Sequence, residues 1–286
     1  MEIAARSCFA YNNNNNSTTD YDDPTTNSST QPQQKQQQQQ SDCAAAMAQR
    51  YLVSKQGNTQ RALQKMKATL QFRRDNAVDT TVFQTALLHE QQHADDDTTT
   101  PLYNMLASTK KLYVAGRDRE GRSTYVFVPR RVVDHDLHLT RKAHLWTLEK
   151  AIACTRSDDG TINAMVDFAD FDAIRQAPPI ANGKDILTLL RDHYAGRVHR
   201  IYFVHTPRSF HWLWRLLAPF AGTATKKKIV FVSQSSQQQQ QQLLNMYEPD
   251  QVPSWIEGGT WDDTFSIESF LRLPFDQLLG DADDDP

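Results

Sequence analysis

The alternation of apolar and polar positions divides the chain into two differently patterned regions. Between Cys43 and Asp75, CAAAMAQRYLVSKQGNTQRALQKMKATLQFRRD, two helical patterns flank a turn at Gly57 and Asn58. Leu63, Met66, Leu70 and the neighbouring Phe72 recur at roughly helical spacing with basic residues between them. A third helical stretch over Val78 to His93 ends in the Asp- and Thr-rich run Ala94 to Thr100, which reads as a linker. Beyond Pro101 the pattern changes to short β-type runs separated by longer helical ones. Strands are predicted over Ser123–Val128, Thr161–Phe168, Arg200–His205 and Lys228–Val232, the first after a turn over Asp118–Gly121. Helices are predicted over Thr140–Thr155, Lys184–Tyr194 and Ser209–Phe220. Repeated strand–helix units with Ile, Val, Phe and Tyr in the strands predict an α/β fold with a mostly parallel sheet and covering helices, preceded by a small helical lobe.

The helix predicted over Ser209–Phe220 stands apart. Phe210, Leu213, Trp214 and Leu217 share one side, while Trp212 and Leu216 lie around the cylinder from them. An ordinary covering helix needs one apolar stripe, and this one is apolar over most of its circumference. Two readings follow: a helix sandwiched inside a larger core, or one that covers an apolar cavity on one side and meets a membrane on the other.

Composition removes the first forty residues from any core. They are dominated by Asn, Gln, Ser, Thr and Asp, with the runs Asn12–Asn16 and Gln36–Gln40, and cannot bury enough apolar surface to offset ordering. The expected organisation is a disordered arm over residues 1–42, a helical lobe over 43–97, the α/β domain over 98–275 and an acidic tail over 276–286, frayed at its end. A second Gln run, Gln237–Gln242, reads as a solvated helix start.

A net charge of −3 gives no global basic field and argues against nucleic acid as a partner. Three widely spaced cysteines fit neither a disulfide framework nor paired metal knuckles. The opening MEIAARSCFAYNNNN lacks a signal peptide's charged start and long apolar stretch, and no window reaches the length of a membrane span. The expectation is a monomeric cytoplasmic protein that visits membranes from the water side.

The succession HYAGRVHRIYFVHTPRSFHWLWRLLAPF, followed by TKKKIVFV, resembles the CRAL-TRIO lipid-binding family. RYLVSKQGNTQRALQKMKATLQFRRD is similar to that family's N-terminal helical lobe. DREGRSTYVF, AMVDFADF and QVPSWIEGG are similar to further family motifs, so the resemblance covers about Gln49 to Gly259. It departs at His205, where the family usually has Asn, at Ala195, where Pro is usual, and at Asp170, where Gly is usual. VPSWIEGG also carries one residue more than the family's ending.

The resemblance implies a hydrophobic pocket floored by the sheet, holding one lipid beneath a mobile gate helix, with no cofactor and no catalysis. It assigns Tyr125, Phe127, Val166, Phe168, Ile201 and Phe203 to the pocket. Phe210, Trp212, Leu213, Trp214, Leu217 and Phe220 fall to the gate. The phosphatidylinositol head-group positions carry over to Lys55, Thr225 and Lys228. Arg197 adds positive field, as do Lys226 and Lys227. The acidic partner of the family's arginine falls on Gly196 and is lost. Of the choline-lipid positions Tyr125 matches, whereas Val114, Ile162 and Ala164 replace hydroxyl-bearing residues, so phosphatidylinositol is expected over phosphatidylcholine. A tocopherol- or retinoid-like ligand stays open, as does a phosphoinositide-sensing scaffold that recruits partners through its Gln-rich arms without transfer.

One motif points to different chemistry. His89-Glu90-Gln91-Gln92-His93 has the H-E-x-x-H spacing that places two imidazoles on one helix face around Zn²⁺, with Glu90 as general base. No third ligand follows it in the Asp-rich linker, so a zinc metallopeptidase is the alternative rather than the main expectation. His135 and His138 read as solvated, and Ser209 and His211 are too close in sequence to form a triad. Asp167, inside an apolar strand, reads as a buried structural carboxylate.

Overall fold

The structure, a computed structural model, describes residues 44–80, 101–132, 136–171, 180–232, 241, 243–262, 264–278 and 281. The Asn- and Gln-rich arm, His89–His93 and His135 lie outside them. The chain divides into two units, Met1–Thr80 and Thr81–Pro286.

In the first unit helix α1 covers residues 44–54 and α2 Thr59–Asp75. The turn between them needs left-handed backbone, which Gln56 (φ 52°) and Gly57 (φ 82°) supply. Asn58 then caps α2, its side chain accepting from the Arg61 N–H at 3.0 Å. The two helices are joined through the buried Tyr51 hydroxyl, which donates to Thr69 Oγ1 at 2.7 Å. The inward face of α2 carries Ala62 and Thr69, while Leu63, expected inside from its spacing, is 46% exposed. Alanine and threonine are small enough to bring the helices close, so the buried stripe lies one position from the bulkier residues.

The second unit opens with α3 (Pro101–Thr109), followed by β1 (Leu112–Arg117) and β2 (Ser123–Phe127). Then α4 (Leu137–Cys154), β3 (Ile162–Asp167), α5 (Ile180–His193), β4 (Val198–Val204), α6 (Arg208–Lys226) and β5 (Ile229–Val232) follow, with α7 (Ile267–Arg272) near the end. The five strands lie in sequence order, β1 antiparallel to β2 and the rest parallel. Because the order never reverses, crossovers of one hand put α4, α5 and α6 on the same face.

That arrangement aligns side chains in rows. Tyr125, Ala164, Ile201 and Ile229 are successive register partners across the sheet, and Phe127, Val166, Phe203 and Phe231 form the next row. The intervening residues take the opposite face, where the Tyr202 hydroxyl reaches Met246 and Tyr113 stacks on Trp261. The far side of α4 is also covered, Trp146 meeting Phe270 and Phe275 edge to face. Lys150 is fully buried there. Its ammonium donates to the Pro274 carbonyl at 2.8 Å, and burial lowers its affinity for a proton. Asp281, which composition assigns to a fraying tail, is instead held by the Arg117 guanidinium at 2.6 and 2.9 Å.

Candidate functional site

Between the inner face of the sheet and α4, α5 and α6 lies a cavity of about 170 Å³, lined almost wholly by apolar side chains. All six sequence-assigned pocket residues, Tyr125, Phe127, Val166, Phe168, Ile201 and Phe203, line it. The two strand rows account for the placement, since period-2 alternation sends every second residue to this face. From α5 come Ile186, Leu187 and Leu190, spaced as one helical face.

The helix α6 supplies the outer wall. Phe210, Leu213, Trp214 and Leu217 line the cavity, and Phe210 and Leu213 are only 2% and 6% exposed. Phe210 packs against Phe168 with ring centroids 4.1 Å apart, and Trp214 meets Phe203 at 5.5 Å. Trp212 and Leu216 turn the other way, at 65% and 38% exposure. Phe220 is not among the described lining residues; the Lys184 ammonium lies 4.9 Å from its ring centroid. The helix is interrupted. Pro219 removes a backbone donor, and Gly222 at φ 71° and ψ 159° breaks the helical path before its last turn.

The other end of α6 begins at a strained corner. His205 sits at φ 54°, a left-handed value uncommon for non-glycine residues, and its Nδ1 lies 2.8 Å from Asp167 Oδ1. Asp167 also accepts from Arg130 at 2.7 Å and from the Ala169 N–H at 2.9 Å. Burial alone pushes this carboxyl's pKa up, but the bonds from His205 and Ala169 and the Arg130 charge outweigh it and hold it below the ordinary value. A second, more polar cleft of about 320 Å³ opens beside His205, with Ser254, Trp255 and Glu257 on its rim.

The head-group candidates lie elsewhere. Arg197 donates to the Gly160 carbonyl at 2.9 Å, and the Lys228 ammonium donates to the carbonyl of Val198, the residue after Arg197. Burial lowers the Lys228 pKa, partly countered by Asp159. Thr225 stands three residues before Lys228, whose N–H bonds its carbonyl at 3.0 Å. These residues gather where β4 and β5 begin, and none is among the described residues lining the cavity. Lys55 is in the first unit, at the turn after α1.

Sequence reasoning did not single out the polar residues of the cavity. Lys111, Thr140, His144 and Asn182 all line it and are all buried. The one available signal was the spacing of Thr140 and His144, four apart on α4. Burial, reinforced by Lys111, lowers the His144 pKa to about 3 and keeps the ring neutral. Its Nδ1 pairs with the Tyr125 hydroxyl, which burial holds in its protonated form. Among the described residues no group of three or more His, Cys, Asp and Glu side chains is arranged to hold a metal ion, and no helix is long and apolar enough to cross a membrane.

Comparison with known proteins gives a consistent pattern. The CRAL/TRIO domain matches residues 107–258. Over 124 residues, 43% of this chain, the sequence is 26% identical to a CRAL-TRIO domain-containing protein of Schizosaccharomyces pombe, covering 12% of that protein. Over 245 residues, 80% of this chain, it is 24% identical to the phosphatidylinositol transfer protein PDR17 of Saccharomyces cerevisiae, covering 65% of it. The chain thus spans less than two thirds of either relative. The crystal structure of Sfh5 superposes with a TM-score of 0.55 at 15% identity, over 79% of this chain and 74% of that one, a likeness of fold.

Proposed function

Because the chain belongs to the CRAL/TRIO domain family, we propose that it binds one phospholipid, phosphatidylinositol in preference to phosphatidylcholine, beneath α6 and exchanges it at membrane surfaces. The observation that carries this reading is the two-sidedness of α6. Phe210 and Leu213 close an apolar cavity while Trp212 and Leu216 face outward. A helix that packed only on a core would not present a tryptophan to water.

The energetics favour a covered site. A diacyl lipid with about thirty methylenes at roughly 0.8 kcal/mol each gains on the order of 20 kcal/mol by leaving water. Exchange between bilayer and cavity trades one apolar environment for another and needs no bond to be made or broken. The cavity of about 170 Å³ lies below the roughly 300–1,000 Å³ of drug-sized ligand sites. This is therefore a contracted state, and loading requires α6 to swing outward. The strained corner at His205 and the break at Gly222 bracket the segment that moves. The exposed Arg215 and Lys226 of α6, with the exposed Lys227 just after it, suit an anionic membrane surface on the cytoplasmic side.

Lys228 and Arg197, with Thr225 beside them, supply cationic and hydroxyl donors for an inositol phosphate. Occupation of that site would exchange the backbone carbonyl bonds of Lys228 and Arg197 for phosphate oxygens. The buried Val114, Ile162 and Ala164 offer a choline lipid no hydroxyl. The relative PDR17 is a phosphatidylinositol transfer protein, which favours the same choice. The test is transfer of labelled lipid between vesicles: phosphatidylinositol should move several-fold faster than phosphatidylcholine. Equal rates would sink the head-group assignment, and binding without transfer would make the protein a sensor.

A further inference from the structure

The cavity has few polar lining residues, and one of them, Thr140, carries a donor with no hydrogen-bond partner among the described residues. Thr140 lies in the first turn of α4, its N–H used by the Asp136 carbonyl in the helix. The residue is 7% exposed and lines the cavity, yet its Oγ1 is buried with no hydrogen-bond partner among the described residues. One turn further along the same face, His144 is already engaged by Tyr125. Asn182, in the first turn of α5, and Lys111, which precedes β1, also line the cavity. Since β1 is antiparallel to β2, Lys111 meets the carboxyl end of β2, its carbonyl accepting from Val128. The polar part of the lining therefore comes from the starts of two helices and the edge of the sheet, in an otherwise apolar wall.

A buried hydroxyl without a partner forfeits the hydrogen bonds it makes to water, so folding gains nothing from threonine over valine at this position. A ligand oxygen would remove that deficit. Resting on the reading of the cavity as a lipid site, we infer that its ligand carries a hydrogen-bonding oxygen within the apolar body, and that this oxygen pairs with the Thr140 hydroxyl. Two lipid sources share this chemistry: the ester carbonyl of a diacyl phospholipid and the hydroxyl of a sterol. Both differ from recognition by a surface head group, because the contact is made under the closed helix.

The experiment incubates the full chain with vesicles carrying diacyl phosphatidylinositol or its dialkyl ether analogue, and with vesicles carrying ergosterol or its 3-deoxy analogue. Bound lipid is quantified by mass spectrometry. The wild type should favour the carbonyl-bearing phospholipid over its ether analogue, or the hydroxyl-bearing sterol over its 3-deoxy analogue, by about three- to tenfold, the range for one buried neutral hydrogen bond, and the pair that shows the preference identifies the source. Thr140→Val should lose that preference, and Thr140→Ser, which restores the hydroxyl, should retain it. Lipid-free Thr140→Val should melt at or above the wild-type temperature. A lower melting temperature would assign the hydroxyl to the fold and overturn the inference. So would a wild-type preference that survives in Thr140→Val, or wild-type loading without preference in either pair. A wild type that takes up no lipid from any vesicle would fell the lipid reading itself and this inference with it.

Discussion

Filling the cavity with protein should separate stability from function. Ala164 sits at the centre of the row formed by Tyr125, Ile201 and Ile229 and is the smallest strand side chain lining the cavity. An empty cavity costs about 24 cal/mol per Å³, so 170 Å³ corresponds to an upper bound of about 4 kcal/mol that any filling group can recover. Ala164→Leu adds three heavy atoms, and at roughly 0.8 kcal/mol per buried methylene it should return about 2 kcal/mol. For a unit of this size that raises the melting temperature of lipid-free protein by about 4–8 °C. The same atoms occupy space an acyl chain needs, so lipid uptake should fall at least tenfold. Thermal unfolding followed by tryptophan fluorescence, together with bound lipid measured by mass spectrometry, reads both effects. The reasoning fails if Ala164→Leu is destabilised, which would mean that the cavity is too tightly packed to admit a side chain. It fails equally if the stabilised variant loads lipid as well as wild type, because the ligand would then bind elsewhere.

Trp212→Asp should leave stability within about 0.5 kcal/mol, since the side chain is 65% exposed, while vesicle binding and lipid exchange drop several-fold; unchanged exchange would remove α6 from the membrane contact. Asp167→Asn should cost about 2–3 kcal/mol at neutral pH in urea unfolding, because bonds from Arg130, His205 and Ala169 lose their charged acceptor. The folded pKa of Asp167 is depressed, so its contribution is present above the unfolded value of about 3.9 and is lost as pH falls through the folded value. The stability gap between Asp167→Asn and wild type should therefore narrow below about pH 4, and a gap independent of pH would refute the assignment.

The parts of the fold legible in the sequence were those with a strong local period. β2 to β5 stood out because runs such as STYVF and IYFV are bounded by turn residues, and the cavity residues followed from counting every second position. β1 was missed. LYVAGR is buried on both faces as far as Gly116, so it shows no alternation, and that glycine lowers its β character. The true start of α4 lies at Leu137 because Asp136 caps it, bonding the Leu139 N–H at 2.6 Å; the apolar period alone suggested Thr140.

Two departures from the family pattern have a backbone explanation. His205 and Asp170 stand where Asn and Gly are usual, and both adopt left-handed φ values, 54° and 53°. Asn and Gly are the residues that reach this region at least cost, and Asp and His follow. What the sequence did not disclose was relative depth. The helical period puts Trp212 and Trp214 on different sides of α6, but only the packing of Trp214 against Phe203 and the 65% exposure of Trp212 show which side faces inward. The polar part of the lining was equally hidden, because threonine and histidine on a helix read as solvated until the strands are placed against them.

The measurement that tests the central claim most directly is native mass spectrometry of the purified full chain after incubation with mixed-lipid vesicles, with bound lipid identified and zinc assayed in parallel. The account predicts a one-to-one complex enriched in phosphatidylinositol. A lipid-free protein carrying one equivalent of zinc would contradict it and return His89 and His93 to the centre of the function.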